Sequence, residues 1–196
     1  MTEALVQEKI NDVLSLFSNR KLEEALELTF KLTKVYPDES ILFNIQGACY
    51  AGLAKPKEAI ESYEMAIVLN PNYAKAHFNL AGTLHEIDEL DAAVKAYKKA
   101  LKIEPENESI LNNLGNVYQD LKNHNKAIDC YQKATSIKHD YVEAHYNNGK
   151  ANQSLGNLEE AIQSYKRVLE LKPSIFGLHS NLGNMYREIG DHDKAI

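Results

Sequence analysis

The chain has 196 residues, 44% of them hydrophobic and 26% charged, with no tryptophan and a net charge of −6 from 22 basic and 28 acidic side chains. These fractions suit a packed globular chain, and no run nears the ~18 uninterrupted apolar residues of a membrane span. Bases lie scattered among acids rather than gathered on one face, which argues against a phosphate-backbone binder, so neither membrane nor nucleic acid is expected as a partner.

Along the chain, alanines at 25, 59, 93, 127, 161 and 195 recur every 34 residues. Residues 1–39 read as a degenerate first unit that keeps Ala25 and Pro37 but carries Val13, Leu16, Thr29 and Leu32 in the other marker slots, as a terminal capping unit would. Full units follow over 40–73, 74–107, 108–141 and 142–175, and 176–196 form a truncated sixth. In the unit opening at Ala74, Leu80, Leu84 and Ile87 make one helical stripe, and Leu90, Val94, Tyr97, Leu101 and Ile103 a second, so each unit is two amphipathic helices. Pro37, Pro71, Pro105 and Pro173, with His139 in the vacant slot, close the second helices, because proline cannot continue the ladder and the residue before it leaves the α region. Gly156-Asn157 and Gly190-Asp191 supply left-handed C-caps to first helices. Gly47, Gly115, Gly149 and Gly183, with Ala81 between, mark a close approach, and Tyr63, Tyr97, Tyr131 and Tyr165 fill the space beside it. One such unit cannot bury its own apolar faces, but stacked units can.

The stretch from Leu111 to Ile137 carries Gly115, Tyr118, Ala127, Tyr131 and Ala134. With these residues the chain resembles the tetratricopeptide repeat family, firmly from about residue 40 onward and weakly before it. The resemblance implies an all-α fold, a right-handed α-solenoid of antiparallel helix pairs, acting as a protein-binding scaffold. It also implies a concave surface lined by the second, fifth, sixth, ninth, twelfth and thirteenth slots of each unit. Carried over, these slots place Lys75 and Asn79 in the groove from the third unit, and Asn112, Asn113 and Asn116 from the fourth. The fifth unit adds Tyr146, Asn147 and Lys150, and the sixth Asn181 and Asn184.

Asn79, Asn113, Asn147 and Asn181 occupy one slot in four successive units. A carboxamide offers two donors and two acceptor lone pairs, which match a peptide group whatever side chain it bears. This row is similar to the asparagine ladder in the repeat region of O-linked N-acetylglucosamine transferases. The alternative is that the amides are solvated or bond neighbouring backbone. The carboxylate clamp of the family is not expected, since the fifth and sixth slots lack the cations that a terminal carboxylate needs. Two larger readings stand beside peptide binding: a recruiting arm for a transferase domain beyond Ile196, or a free-standing assembly adaptor.

No catalytic residue, metal site or cofactor is expected. His77, His145 and His179 share one slot in different units and read as packing residues, and every glycine falls on a packing or turn slot. Cys49 and Cys130 read as reduced thiols of a cytoplasmic chain, and the opening residues lack a secretory signal. The sequons at Asn107 and Asn152 would then go unused. In the fifth unit Asn148 and Asn152 fall on the face expected to be buried, where they need partners and make a weak joint. The truncated sixth unit suggests an N-terminal segment of a longer polypeptide. It also leaves Leu182, Tyr186 and Ile189 without a covering helix, a surface suited to self-association through the uncapped end.

Overall fold

The computed structural model describes residues 3–175, 177–191, 193 and 195, with the backbone alone for 3–5. Among them are eleven α-helices and no strand. The chain divides into two compact units, Met1–Pro105 and Glu106–Ile196. The first holds α1 (Glu3–Ser18), α2 (Leu22–Val35), α3 (Ser40–Gly52), α4 (Pro56–Leu69), α5 (Ala74–Glu86) and α6 (Leu90–Ile103). The second holds α7 (Glu108–Asp120), α8 (His124–Ile137), α9 (Val142–Leu155), α10 (Leu158–Leu171) and α11 (Leu178–Glu188). Short turns join the helices into antiparallel hairpins.

The close approach within each hairpin has a steric cause. A Cβ built on Gly47 would lie 2.5 Å from the Tyr63 ring, one on Gly115 2.5 Å from Tyr131, and one on Gly149 2.7 Å from Tyr165. The tyrosines are almost wholly buried, and Ala59, Ala93, Ala127 and Ala161 are fully so. Small residue and ring together set the helix spacing. Helices α2, α4, α6 and α10 each end two residues before a proline, and α8 ends two before His139.

The turn inside each hairpin repeats a left-handed residue every 34 positions: Arg20, Ala54, Asp88, Lys122, Gly156 and Gly190, with φ of 59°, 56°, 64°, 59°, 78° and 80°. The sequence marked only the two glycines. The other four adopt the same conformation at a steric cost of about 1–2 kcal/mol each, which the surrounding packing overrides.

In the first unit Ile10, Val13, Ala25, Leu26, Leu32, Leu42, Ile45 and Cys49 form one cluster spanning α1, α2 and α3. In the second, Ala161, Ile162, Tyr165 and Val168 of α10 pack with Leu178, Leu182 and Met185 of α11. This corrects the expectation of a bare end: Leu182 is buried and Tyr186 partly so, because the stripe of α11 also faces α10, and only Ile189 stays exposed at 40%. The opening of a further helix at Asp193-Lys194 depends on Lys194 and Ile196, which lie outside the described residues. No helix of the described residues is long and apolar enough to cross a membrane.

Candidate functional site

Helices α7 and α9 of the second unit bring six of the ten expected groove residues together. Asn112, Asn113, Asn116, Tyr146 and Asn147 line an open cleft of about 500 Å³ with Val142, Glu143, Lys172 and Ile175. A smaller recess of about 220 Å³ continues from it, lined by Asn116, Gln119, Asp120, Tyr131, Asn147 and Lys150. Asn116 and Asn147 are common to both.

The amides form a connected network. The Asn147 Nδ2 donates to Asn112 Oδ1 at 3.2 Å and to Asn116 Oδ1 at 3.0 Å, and so ties α9 to α7. Tyr131, 1% exposed, donates its hydroxyl to the same Asn116 oxygen at 2.9 Å. Burial pushes the Tyr131 phenol above its ordinary range, which keeps it a neutral donor. Asn112, itself buried at 4% exposure, reaches Asn113 Oδ1 at 3.5 Å, the limit of a hydrogen bond. Each carboxamide has two N–H donors and two lone pairs. Asn147 therefore spends both donors inside the protein and keeps its Oδ1, while Asn116 spends its oxygen and keeps its amino group. The Asn113 amino group likewise has no partner among the described residues. The cleft thus offers donors from Asn113 and Asn116 and an acceptor from Asn147, side by side.

One wall is apolar. Tyr146, 39% exposed, leans on Tyr165 with ring centroids 5.7 Å apart, and Val142 and Ile175 flank it, partly buried. The Tyr165 hydroxyl donates to Gln153 Oε1 at 3.2 Å, and burial pushes its pKa up to about 12.

The remaining expected residues lie elsewhere. In the first unit the Asn79 Nδ2 donates to Asn44 Oδ1 at 2.9 Å. Lys75 is exposed, with its ammonium 5.0 Å from the centroid of Phe78, which packs edge-on to Tyr97 at 5.8 Å. Asn181 and Asn184 are exposed on α11, and Arg187 donates to Asn184 Oδ1. Asn79 and Asn147 therefore bond side-chain amides of the preceding repeat, a pairing that neither reading of the row named. Both contacts run from the sixth slot of one repeat to the fifth slot of the preceding one, a spacing of 35. Asn44 and Asn112 carried this signal, and the sequence reading did not connect it.

The polar pair of the fifth unit is satisfied. Asn148 Nδ2 donates to Ser164 Oγ at 3.0 Å, Asn152 Nδ2 to the Asn148 carbonyl at 3.0 Å, and Asn157 Nδ2 to Asn152 Oδ1 at 3.3 Å. Two of the three histidines reach carbonyls of the turns between repeats: His77 Nε2 lies 3.0 Å from the Pro71 carbonyl and His145 Nε2 3.0 Å from that of His139, while His179 is exposed. Cys49 and Cys130 are buried thiols outside any disulfide, and burial pushes Cys49 up to about 11.

Stacked 34-residue hairpins with an open, amide-lined face define a helical-repeat protein built to bind other proteins. Tetratricopeptide repeat models match residues 55–88, 83–122, 106–174 and 178–196. The chain belongs to the tetratricopeptide repeat family. Among curated relatives, the peroxisomal targeting signal receptor of Candida glabrata is 29% identical over 68 residues, which are 35% of this chain and 12% of the receptor. That of Eremothecium gossypii is 31% identical over 65 residues, 33% of this chain and 11% of the receptor. The chain thus aligns with about an eighth of their length. Among solved structures, MamA is 28% identical with a TM-score of 0.76, covering 81% of this chain and 93% of that one. Pseudomonas aeruginosa PilF, at 18% identity, gives a TM-score of 0.84 over 97% of this chain and 86% of its own, a likeness of fold alone.

Proposed function

We propose that this chain is a protein-interaction scaffold whose cleft on α7 and α9 holds an extended segment of a partner by its backbone. The observation that carries this reading is the set of unspent groups: amino donors on Asn113 and Asn116 beside the Asn147 carbonyl oxygen. A peptide group needs one acceptor and one donor, and this arrangement offers their complements without reference to side chain. The apolar wall of Val142, Tyr146 and Ile175 then takes one aliphatic or aromatic side chain of the segment. One lysine and one acid lie at each recess, Lys172 with Glu143 and Lys150 with Asp120, so no strong charge preference is expected. The similarity to targeting signal receptors supports a protein segment as the occupant.

The test uses a linear peptide selected against the full chain from a random library and measured by fluorescence anisotropy. Each backbone nitrogen is then methylated in turn, in parallel with an alanine scan. Backbone recognition predicts that methylation at one or two positions weakens binding about tenfold or more, as loss of a hydrogen bond to a desolvated site does. All side-chain changes except the one at the apolar anchor should cost less. Affinity insensitive to methylation at every position would refute it.

A further inference from the structure

The outward faces of the second helices differ from repeat to repeat in a way that the fold does not require. Four slots project to solvent at the same place in each unit. In α2 they are Glu27, Phe30, Lys31 and Lys34; in α8, Asp129, Gln132, Lys133 and Ser136; in α10, Gln163, Lys166, Arg167 and Glu170. These sets mix signs, as a solvated face does. The two helices between depart from them. In α4 the slots hold Glu61, Glu64, Met65 and Val68; in α6 they hold Lys95, Lys98, Lys99 and Lys102. One face is acidic and then apolar, with Met65 44% and Val68 73% exposed, and the other is four lysines. Among the described residues none of Glu61, Glu64, Lys95, Lys99 and Lys102 takes part in an ion pair. Two faces of complementary charge thus lie on one unit, in helices that both pack on α5.

We infer that this outer face is a docking surface for a second copy of the chain, with α4 of each copy lying on α6 of the other. The pairing follows from symmetry. A two-fold axis running along the helices, midway between α4 and α6, carries α4 of one copy over α6 of its partner without reversing direction or shifting slots. Glu61 and Glu64 then meet the slots of Lys95 and Lys98, and Met65 and Val68 lie along the aliphatic stems of Lys99 and Lys102. The same contact forms twice. Both helices have 14 residues, about 21 Å of length at 1.5 Å per residue, and two such faces side by side bury roughly 800 Å² in all, at the weak, transient end of interface sizes. The dimer expected is a weak one, with a dissociation constant on the order of tens to hundreds of micromolar, and salt-sensitive because exposed charges are screened. The groove on α7 and α9 plays no part in it.

The test is sedimentation equilibrium of the full chain across that concentration range at low and high salt. Reversible dimerisation that weakens with salt is expected. The variant E61K/E64K should raise the dissociation constant by about a hundredfold or more, since four attractive contacts become repulsive at ~0.5–1 kcal/mol each. K95E/K98E should do the same. Combining all four changes in one chain restores the complementarity and should restore the dimer. A chain that stays monomeric at low salt overturns the inference, as does a dimer indifferent to E61K/E64K, which would assign association to another surface such as Ile189. Failure of the fourfold variant to recover, while its circular dichroism and melting match those of the parent, overturns it as well.

Discussion

Replacing Asn147 with alanine should destabilise the second unit, and the size of the loss can be worked from the network. The change removes two hydrogen bonds between α9 and α7. It leaves Asn112 Oδ1, on a residue 4% exposed, without a donor, and a buried orphan acceptor costs about 1–3 kcal/mol. Asn116 Oδ1 keeps the Tyr131 hydroxyl, so loss of its second donor costs only ~0.5–1 kcal/mol. Alanine recovers roughly 0.6 kcal/mol of helix propensity. The net is about 1–3 kcal/mol, or roughly 2–12 °C in melting temperature for a chain of this size. Urea denaturation followed by circular dichroism reads it, with Asn113→Ala as the control, because the Asn113 side chain makes only the 3.5 Å contact. Asn147→Asp sharpens the test: its carboxylate would face two acceptor oxygens, so at neutral pH it should be worse than alanine, and acid should narrow the gap. If Asn147→Ala and Asn113→Ala melt together, the network carries no stability and the reasoning fails.

Ala54→Gly should stabilise the chain by about 0.5–1 kcal/mol, since relief of ~1–2 kcal/mol of left-handed strain outweighs the unfolded-chain entropy of glycine; a lower urea midpoint would refute this. Gly115→Ala should cost about 1–3 kcal/mol despite its better helix propensity, because its Cβ would meet Tyr131 ring carbons at 2.5, 2.8 and 2.9 Å, and an unchanged midpoint would show that the hairpin yields freely. Cys49, Tyr165, Tyr63 and Tyr131 are all raised by burial. Each is neutral in the folded state at a pH where the unfolded chain has begun to ionise, so the stability they contribute is intact below about pH 9 and is lost as pH rises through their folded values. Denaturation midpoints from pH 8 to 11 should fall, and a flat profile would contradict the burial of these groups.

The repeat was legible because its determinants are few and local. A small residue against a buried ring, a helix-ending proline and two amphipathic stripes each leave a mark at a fixed offset, and the period multiplied every mark. The left-handed turns were legible at two positions of six: glycine announces the conformation at 156 and 190, whereas Arg20, Ala54, Asp88 and Lys122 adopt it under tertiary constraint and carry no signal of their own. The groove amides were found by their spacing, but what they bond was not. The Asn147 pairing with Asn112 depends on which slots of adjacent first helices come level, a property of stacking that a period of 34 does not contain. For the same reason Leu182 was expected bare and is buried, since its cover comes from the preceding helix, α10.

The same network limits how the cleft can bind. A partner that took the Asn147 amino group would have to displace Asn112 and Asn116, exchanging two internal hydrogen bonds for one or two new ones at little net gain. A partner that uses only the Asn147 oxygen and the amino groups of Asn113 and Asn116 breaks nothing, and finds these groups already fixed in orientation by the bonds that hold their other ends. Order lost on binding is then small, which favours affinity without new contacts. The fifth slot alternates along the chain as Asn44, Phe78, Asn112 and Tyr146. Amide positions lock the next asparagine in place, and aromatic positions pack on Tyr97 and Tyr165. Within each of the two units the fifth slot thus supplies one fixed amide and one apolar shelf, Asn44 with Phe78 and Asn112 with Tyr146.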